Sequence, residues 1–212
     1  VTARTDPSLV QLAERLRALP PSCGPVRLVA VDGHAGSGKT TFADRLAAAL
    51  GGAPVLHLDD VATHAELFGW TGRLHEQVLR PLARGADAHY ETYDWHARRF
   101  TDQRTLPPAP VVLIEGVGAG RRAVRPFLAS LLWMELAAQD SWRRGQRRDG
   151  PEMSGFWKGW LAAEGEHFAA DPSRPYAHAL VLQRRTGRRA TEGKTEECVE
   201  GYVVLPGPGV AA

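Results

Sequence analysis

The sequence predicts an α/β protein: an open parallel sheet with helices on both faces. Three observations lead there. Short, almost wholly apolar runs at residues 26–31 and in VVLIEG, residues 111–116, read as strands buried on both sides. Segments with helical apolar spacing stand between such runs, so that strand and helix alternate. A glycine-rich turn, GHAGSGKT at 33–40, joins the first strand to a helix. With 212 residues the chain has room for one domain with a sizeable core, and a second would be cramped.

In chain order, leucines at 9, 12, 16 and 19 follow Pro7 at helical spacing and predict a helix over 7–19, ended by the connector PPSCGP. Residues 26–31 are the first buried strand. Phe42, Leu46, Ala49 and Leu50 form the stripe of a helix over 40–50, stopped by Gly51 and Gly52. APVLHLDD, 53–60, is a second strand that ends in acid. RLHEQVLRPLARG, 73–85, is a helix closed by Gly85, in which Pro81 can place a kink. From 86 to 110 the periodicity disappears, and so long a stretch predicts a working loop. VVLIEG is the clearest strand, and SLLWMELA (130–137) and HALVLQ (178–183) are two more. Between these last two, DSWRRGQRRDG (140–150) is a very basic helix and FWKGWLAAEGEHFAA (156–170) a helix with aromatics on one side. The domain is expected to cover 1–183. The tail, 184–212, opens with RRTGRRATEGKTEE, which predicts a mobile segment, while GYVVLPG can add an edge strand.

Composition narrows the classes. Apolar residues make up 43% and charged residues 24%, as in soluble globular proteins. No apolar run approaches the roughly 18–20 residues that span a bilayer. The N-terminal segment alternates charge with leucine and lacks the apolar centre of a secretion signal, so a cytoplasmic protein is expected. Cys23 and Cys198 lie far apart and read as unpaired thiols of a reducing compartment, with pairing left open. A net charge of +2 gives no argument for nucleic acid, and no membrane partner is expected. Of 26 basic residues only Lys39, Lys158 and Lys194 are lysine. In a chain so biased toward arginine, Lys39 in the glycine-rich turn marks a demand for a compact ammonium over a planar guanidinium.

GHAGSGKT fits G-x-x-x-x-G-K-[ST] in the strand–turn–helix context that the motif requires. Its glycines let the backbone turn inward so that successive N–H groups converge, and the helix N-terminus adds about half a positive charge. The result is a concave anion site sized for phosphates, lined by Gly33, Ala35, Gly36, Ser37, Gly38, Lys39, Thr40 and Thr41. Lys39 can reach the β- and γ-phosphates and the Thr40 hydroxyl can ligate Mg²⁺, so ATP with magnesium is the predicted ligand. Asp59 and Asp60 end the second strand, where ligands bind in open α/β sheets. A carboxylate there can accept a hydroxyl proton or hold the metal through water. Glu115 ends VVLIEG in the same way, and its burial asks for a nearby cation. In the basic helix Arg144 and Arg148 share one face, Arg143 and Arg147 another. Guanidinium groups closing over a γ-phosphate lower the barrier to its transfer. Tyr90, Tyr93, Trp95 and His96 offer planar apolar surface with hydrogen-bonding tips, suited to a ring-bearing substrate. The other histidines show no metal spacing, and Phe156, Trp157, Trp160 and Phe168 read as core. The absence of an N-K-x-D signature weakens a GTPase reading, and size disfavours a motor. A small-molecule kinase and a slow ATP-hydrolysing binding or regulatory protein remain.

Taken in order, GHAGSGKTTFA, LDD, YDWHARR followed by VVLIEG, and the basic RRGQRRDG resemble the uridine kinase family of P-loop nucleoside kinases, over roughly residues 26–183. The resemblance implies a three-layer P-loop NTPase fold with a five-stranded parallel sheet, an Arg-rich lid over 139–152 and an acceptor pocket formed partly by 86–110. It implies an ATP- and Mg-dependent phosphotransferase with an alcohol acceptor. Asp59 would then be the base that takes the hydroxyl proton. Thr40, Asp59 and Glu115 would organise Mg²⁺, while Asp60, Tyr93 and His96 would face the substrate. Lys39, Arg144 and Arg148 would meet the phosphates. The implied partners are ATP and a small hydroxyl-bearing molecule, with a homo-oligomer left open. The acceptor end departs from the family pattern: Ala62 replaces an aromatic, Tyr93 and His96 are only three residues apart, and WTGR (70–73) carries no acid. The acceptor is therefore a nucleoside or another alcohol, such as an antibiotic or a metabolite.

Overall fold

The computed structural model describes residues 6–191 and 194–210. The chain begins with α1 (Pro7–Ala18), β1 (Arg27–Asp32), α2 (Lys39–Ala49) and β2 (Val55–His57). Then follow α3 (Thr71–Leu74), α4 (Arg80–Ala83) and a hairpin of β3 (Ala88–Asp94) and β4 (Arg99–Leu106). The last part holds β5 (Val111–Glu115), β6 (Leu128–Met134), α5 (Ala138–Asp149), α6 (Ser154–Ala170), β7 (Ala179–Thr191) and β8 (Lys194–Pro206).

The main sheet runs β2-β5-β1-β6-β7-β8. Its first five strands are parallel, as expected, and β8 adds an antiparallel edge beside β7. Successive side chains of β1 alternate between two cores. Leu28 and Ala30 join Val112, Ile114, Trp70, Leu74, Val78 and Leu82 on one face. Val29 and Val31 join Leu9, Leu12 and Leu16 of α1 and Phe42 and Leu46 of α2 on the other. Both faces of β1 and β5 are thus covered, which is why their sequences are continuously apolar. At the N-terminus of α1, Asp6 accepts from the Ser8 amide at 2.9 Å and from the Tyr202 amide at 2.6 Å. That cap ties the first helix to the last strand.

Several elements differ from the sequence expectation. The stretch 86–110 is a β-hairpin rather than an unstructured loop: Ala88, Tyr90 and Thr92 point inward while His89 and Glu91 point out. The period of two was present in the sequence but was carried by Ala, Tyr and Thr, weak hydrophobic markers. The helix predicted over 73–85 is α3, a π-helical turn at His75–Leu79, and α4. The wider turn lies just before Pro81, whose ring would crowd the carbonyl four residues back in a regular α-helix. The second strand is only Val55–His57, and a 3-10 turn, Leu58–Asp60, carries its acids. Past Gln183 the chain continues in β7 and returns as β8, so a paired ladder stands where a mobile tail was expected. Residues 192–193 and 211–212 of that tail lie outside the described residues. Cys23 is a buried free thiol, whereas the side chain of Cys198 lies outside the described part. Among the described residues no helix is long and apolar enough to cross a membrane.

Candidate active site

β1 lies between β5 and β6, so the turn leaving its C-terminal end sits at the reversal of strand order, where open α/β sheets bind ligands. Gly36 and Gly38 adopt φ of +82° and +95°, a region open to glycine at little cost. Gly36 is doubly constrained, because a Cβ there would stand 2.1 Å from the Ser141 carbonyl oxygen of α5. Gly38 occupies the N-cap position of α2, and no side chain caps that helix. The first-turn amides of α2 are thus left to an external acceptor. Lys39 is buried and its Nζ donates to the Gly33 and His34 carbonyls, both at 3.0 Å, which folds the ammonium into the turn. The Ser37 hydroxyl is buried without a protein partner. Ala35 departs from the predicted phosphate-facing set: its amide donates to Glu164 Oε2 at 3.1 Å.

Thr40 and Glu115 are in contact, and Asp59 lies within range of the Glu115 charge. The Thr40 hydroxyl donates to Glu115 Oε1 at 3.2 Å, and His57 Nδ1 meets the same oxygen at 2.6 Å. That hydrogen bond holds the His57 imidazole above its ordinary value, against the opposing effect of burial. The partner that Glu115 needed is therefore a histidine two residues before Asp59. Asp59 is exposed on the 3-10 turn after β2. Desolvation by the surrounding chain, then the like charge of Glu115, raises its carboxyl, while Lys39 and His57 pull it back. Asp59 accepts at its main-chain carbonyl from Trp95 Nε1 at 3.0 Å, and among the described residues no donor engages its carboxylate.

Asp60 turns the other way. Its Oδ2 accepts from Arg104 Nη1 of β4 at 3.0 Å, and Tyr90 hydrogen-bonds it as well. It anchors the hairpin. Tyr93 reaches His64 Nδ1 at 3.0 Å within a cluster that includes Trp95 and Phe100. His96 sits at the exposed hairpin tip, where Asp94 accepts from its amide and that of Ala97, each at 2.8 Å. An open cleft of about 460 Å³ lies beside the cluster, between His64–Phe68 on one wall and Ala163, Glu166 and His167 of α6 on the other.

The arginines of α5 diverge. Arg144 Nη1 donates to Gln183 of β7 at 3.2 Å, beside Gly38. Arg148 pairs with Asp149 at 2.6 Å and lies close enough for the charge of Asp59 to stabilise its cation further. Arg143 pairs with Asp140 and is exposed, as is Arg147. Gly145 lets α5 wedge beneath α6, since a Cβ there would lie 2.4 Å from the Trp157 ring.

Three positions of consequence carried no sequence signal. Asp32, fully buried, accepts from the amides of Gly33, Gly118 and Gly120 at 2.7, 2.9 and 2.8 Å, joining the turn after β1 to the one after β5. Arg121 lies 4.3 Å from the Trp70 ring centroid and donates to the Phe68 carbonyl, the Thr71 hydroxyl and His167 Nδ1, bracing the cleft from behind. Burial lowers its pKa, with Asp171 and Asp32 opposing. Glu164 binds the turn after β1 from α6. For Asp32→Asn we predict a loss of about 2–4 kcal/mol, because an amide cannot accept from all of these N–H groups. A urea denaturation midpoint within error of wild type would contradict this.

No family model and no curated protein matches this chain. Among solved structures it is similar to a protein from Bacillus stearothermophilus described as a possible uridine kinase. The TM-score is 0.53 at 21% identity, over 66% of this chain and 86% of that one. It is also similar to a protein from Silicibacter sp. TM1040 described as a candidate fructose transport system kinase. There the TM-score is 0.52 at 23% identity, over 76% of this chain and 85% of the other. At such identities the likeness establishes architecture, and with the sheet order and the turn after β1 it gives this chain a P-loop NTPase fold.

Proposed function

We propose that this chain is an ATP- and Mg-dependent kinase that transfers the γ-phosphoryl group to a hydroxyl of a small, nucleoside-like molecule in the cytoplasm. One observation carries the reading: the uncapped N-terminus of α2, with Lys39 and Thr40, opens beside an aspartate whose carboxylate no described donor engages. A nucleotide-binding regulator needs the first feature but has no use for the second.

The residues fit magnesium. Among the described residues no three His, Cys, Asp or Glu form a metal cluster. Mg²⁺ in kinases takes one or two carboxylates with phosphate oxygens rather than a dedicated protein cage. Thr40 and Glu115 are already 3.2 Å apart, and the like charges of Glu115 and Asp59 raise the Asp59 carboxyl. A cation held by Thr40, Asp59 and Glu115 would relieve that repulsion and supply charge neutralisation to the phosphates. The chain's own residues do the rest. Turn amides and Lys39 hold the polyphosphate, Asp59 accepts the hydroxyl proton, and Arg148 lies within range of the Asp59 charge. Arg144 stands on the β7 side. The α5–α6 unit excludes water, the competing acceptor.

The aromatic cluster around Tyr93 and Trp95, beside the 460 Å³ cleft, supports a ring-bearing acceptor. A second reading, a non-nucleoside alcohol such as a sugar, metabolite or antibiotic, is favoured by His96 at an exposed tip and by Asp60 being engaged with Arg104. ADP release is the test, measured without acceptor and with a panel of nucleosides and other alcohols. Basal turnover is expected to lie near background and to rise by roughly 10²-fold or more with a true acceptor. Steady hydrolysis indifferent to every alcohol would favour a slow ATP-hydrolysing regulator instead.

A further inference from the structure

Glu164 is fully buried on α6, and three of its four partners lie outside that helix. Oε1 accepts from His34 Nδ1 at 2.7 Å and from Trp142 Nε1 of α5 at 2.9 Å. Oε2 accepts from the Ala35 amide at 3.1 Å and from Trp160 Nε1 at 2.7 Å. A carboxylate only accepts, so His34 carries its proton on Nδ1. The His34 ring is held edge-on by Trp133, Trp142 and Phe168, with centroids 5.4, 5.8 and 5.1 Å away. Burial alone would raise the Glu164 carboxyl, but the bonds from His34, Trp142, the Ala35 amide and Trp160 outweigh it and hold the group below its ordinary value of 4.5.

A buried charge is a poor way to gain stability, since well-packed apolar residues often do as well or better. Here each carboxylate oxygen holds one donor from the turn after β1 and one tryptophan. One of those tryptophans, Trp142, belongs to the lid helix. The next residue of the turn, Gly36, is pressed by the α5 backbone at Ser141. Residues 34–36 are therefore clamped between a carboxylate of α6 and the main chain of α5.

We propose that Glu164 is a positioning residue: acting through His34 and the Ala35 amide, it sets the turn after β1 in its phosphate-receiving shape, and through Trp142 it ties the lid helix to the same anchor. This rests on the nucleotide site proposed above.

The test is calorimetric binding of a non-hydrolysable ATP analogue with Mg²⁺ to the full chain, so that the reading does not depend on the acceptor. Glu164→Gln keeps the shape but brings an NH₂ group against donors, and a loss of affinity of about tenfold or more is expected. Trp160→Phe removes a donor from the same oxygen without touching the turn, and its affinity is expected to stay within about threefold even as its melting temperature falls. Equal losses in both variants, or wild-type affinity in Glu164→Gln, would overturn the assignment. Should Glu164→Gln fail to fold, His34→Phe keeps the ring packing and deletes the donor. A loss of roughly three- to tenfold is expected there, and unchanged affinity overturns the proposal. A wild-type chain that binds no nucleotide would remove the site itself and this inference with it, an outcome distinct from wild-type binding that Glu164→Gln leaves intact.

Discussion

Lys39→Ala is expected to lower acceptor-dependent turnover by roughly 10²–10³-fold or more, with weaker nucleotide binding besides. Lys39 is only 8% exposed, and its ammonium spans the Gly33 and His34 carbonyls. Removing it leaves those carbonyl dipoles facing incoming phosphate with no positive charge between them, a change that bears on ground state and transition state alike. Arginine is not expected to rescue the site. The ammonium is enclosed by a turn whose Gly36 already abuts α5, and a planar guanidinium needs more room than that enclosure allows. Coupled measurement of ADP release checks the prediction, with thermal melting as the control for folding. Turnover like that of wild type in Lys39→Ala would end the kinase reading.

Asp59→Asn should produce the second large effect, a fall in kcat of about 10²–10⁴-fold with ATP affinity within a few-fold of wild type. The split between kcat and binding distinguishes a base from a phosphate ligand, because a base contributes mainly when the acceptor hydroxyl gives up its proton. Asp60→Asn provides the contrast. Its carboxylate is engaged by Arg104 and Tyr90, and the arginine is 56% exposed, so the pair is worth about 1 kcal/mol or less and its loss loosens the hairpin rather than the chemistry. A severe kcat loss in Asp60→Asn with a mild one in Asp59→Asn would move the base by one residue.

The acceptor side shows where local pattern stops being informative. Residues 86–110 lack a helical period and carry charge throughout, yet they fold as a hairpin whose inner face rests on the 58–60 turn through Asp60 and Arg104. The pairing became legible only once Asp60, more than 40 residues from Arg104, was in place to receive the guanidinium. Likewise Glu115 was recognisable as a strand-end acid, whereas its partner His57 was one histidine among eight.

The amino-acid sequence by itself determined the parallel α/β frame, the turn after β1, Lys39 and Thr40 at the head of α2, and acids just after β2 and at the end of β5. Those features are set over a few consecutive residues, by apolar runs that need cover on both faces and by glycines that permit otherwise strained backbone. Only the tertiary structure decided which groups brace the site. Asp32 meets amides up to 88 residues away and Glu164 reaches back 130 residues to His34, while Arg121 ties both cleft walls from behind. Buried carboxylates and guanidinium groups take their roles from donors and acceptors that folding brings within 3 Å or so, and sequence spacing holds no record of that approach.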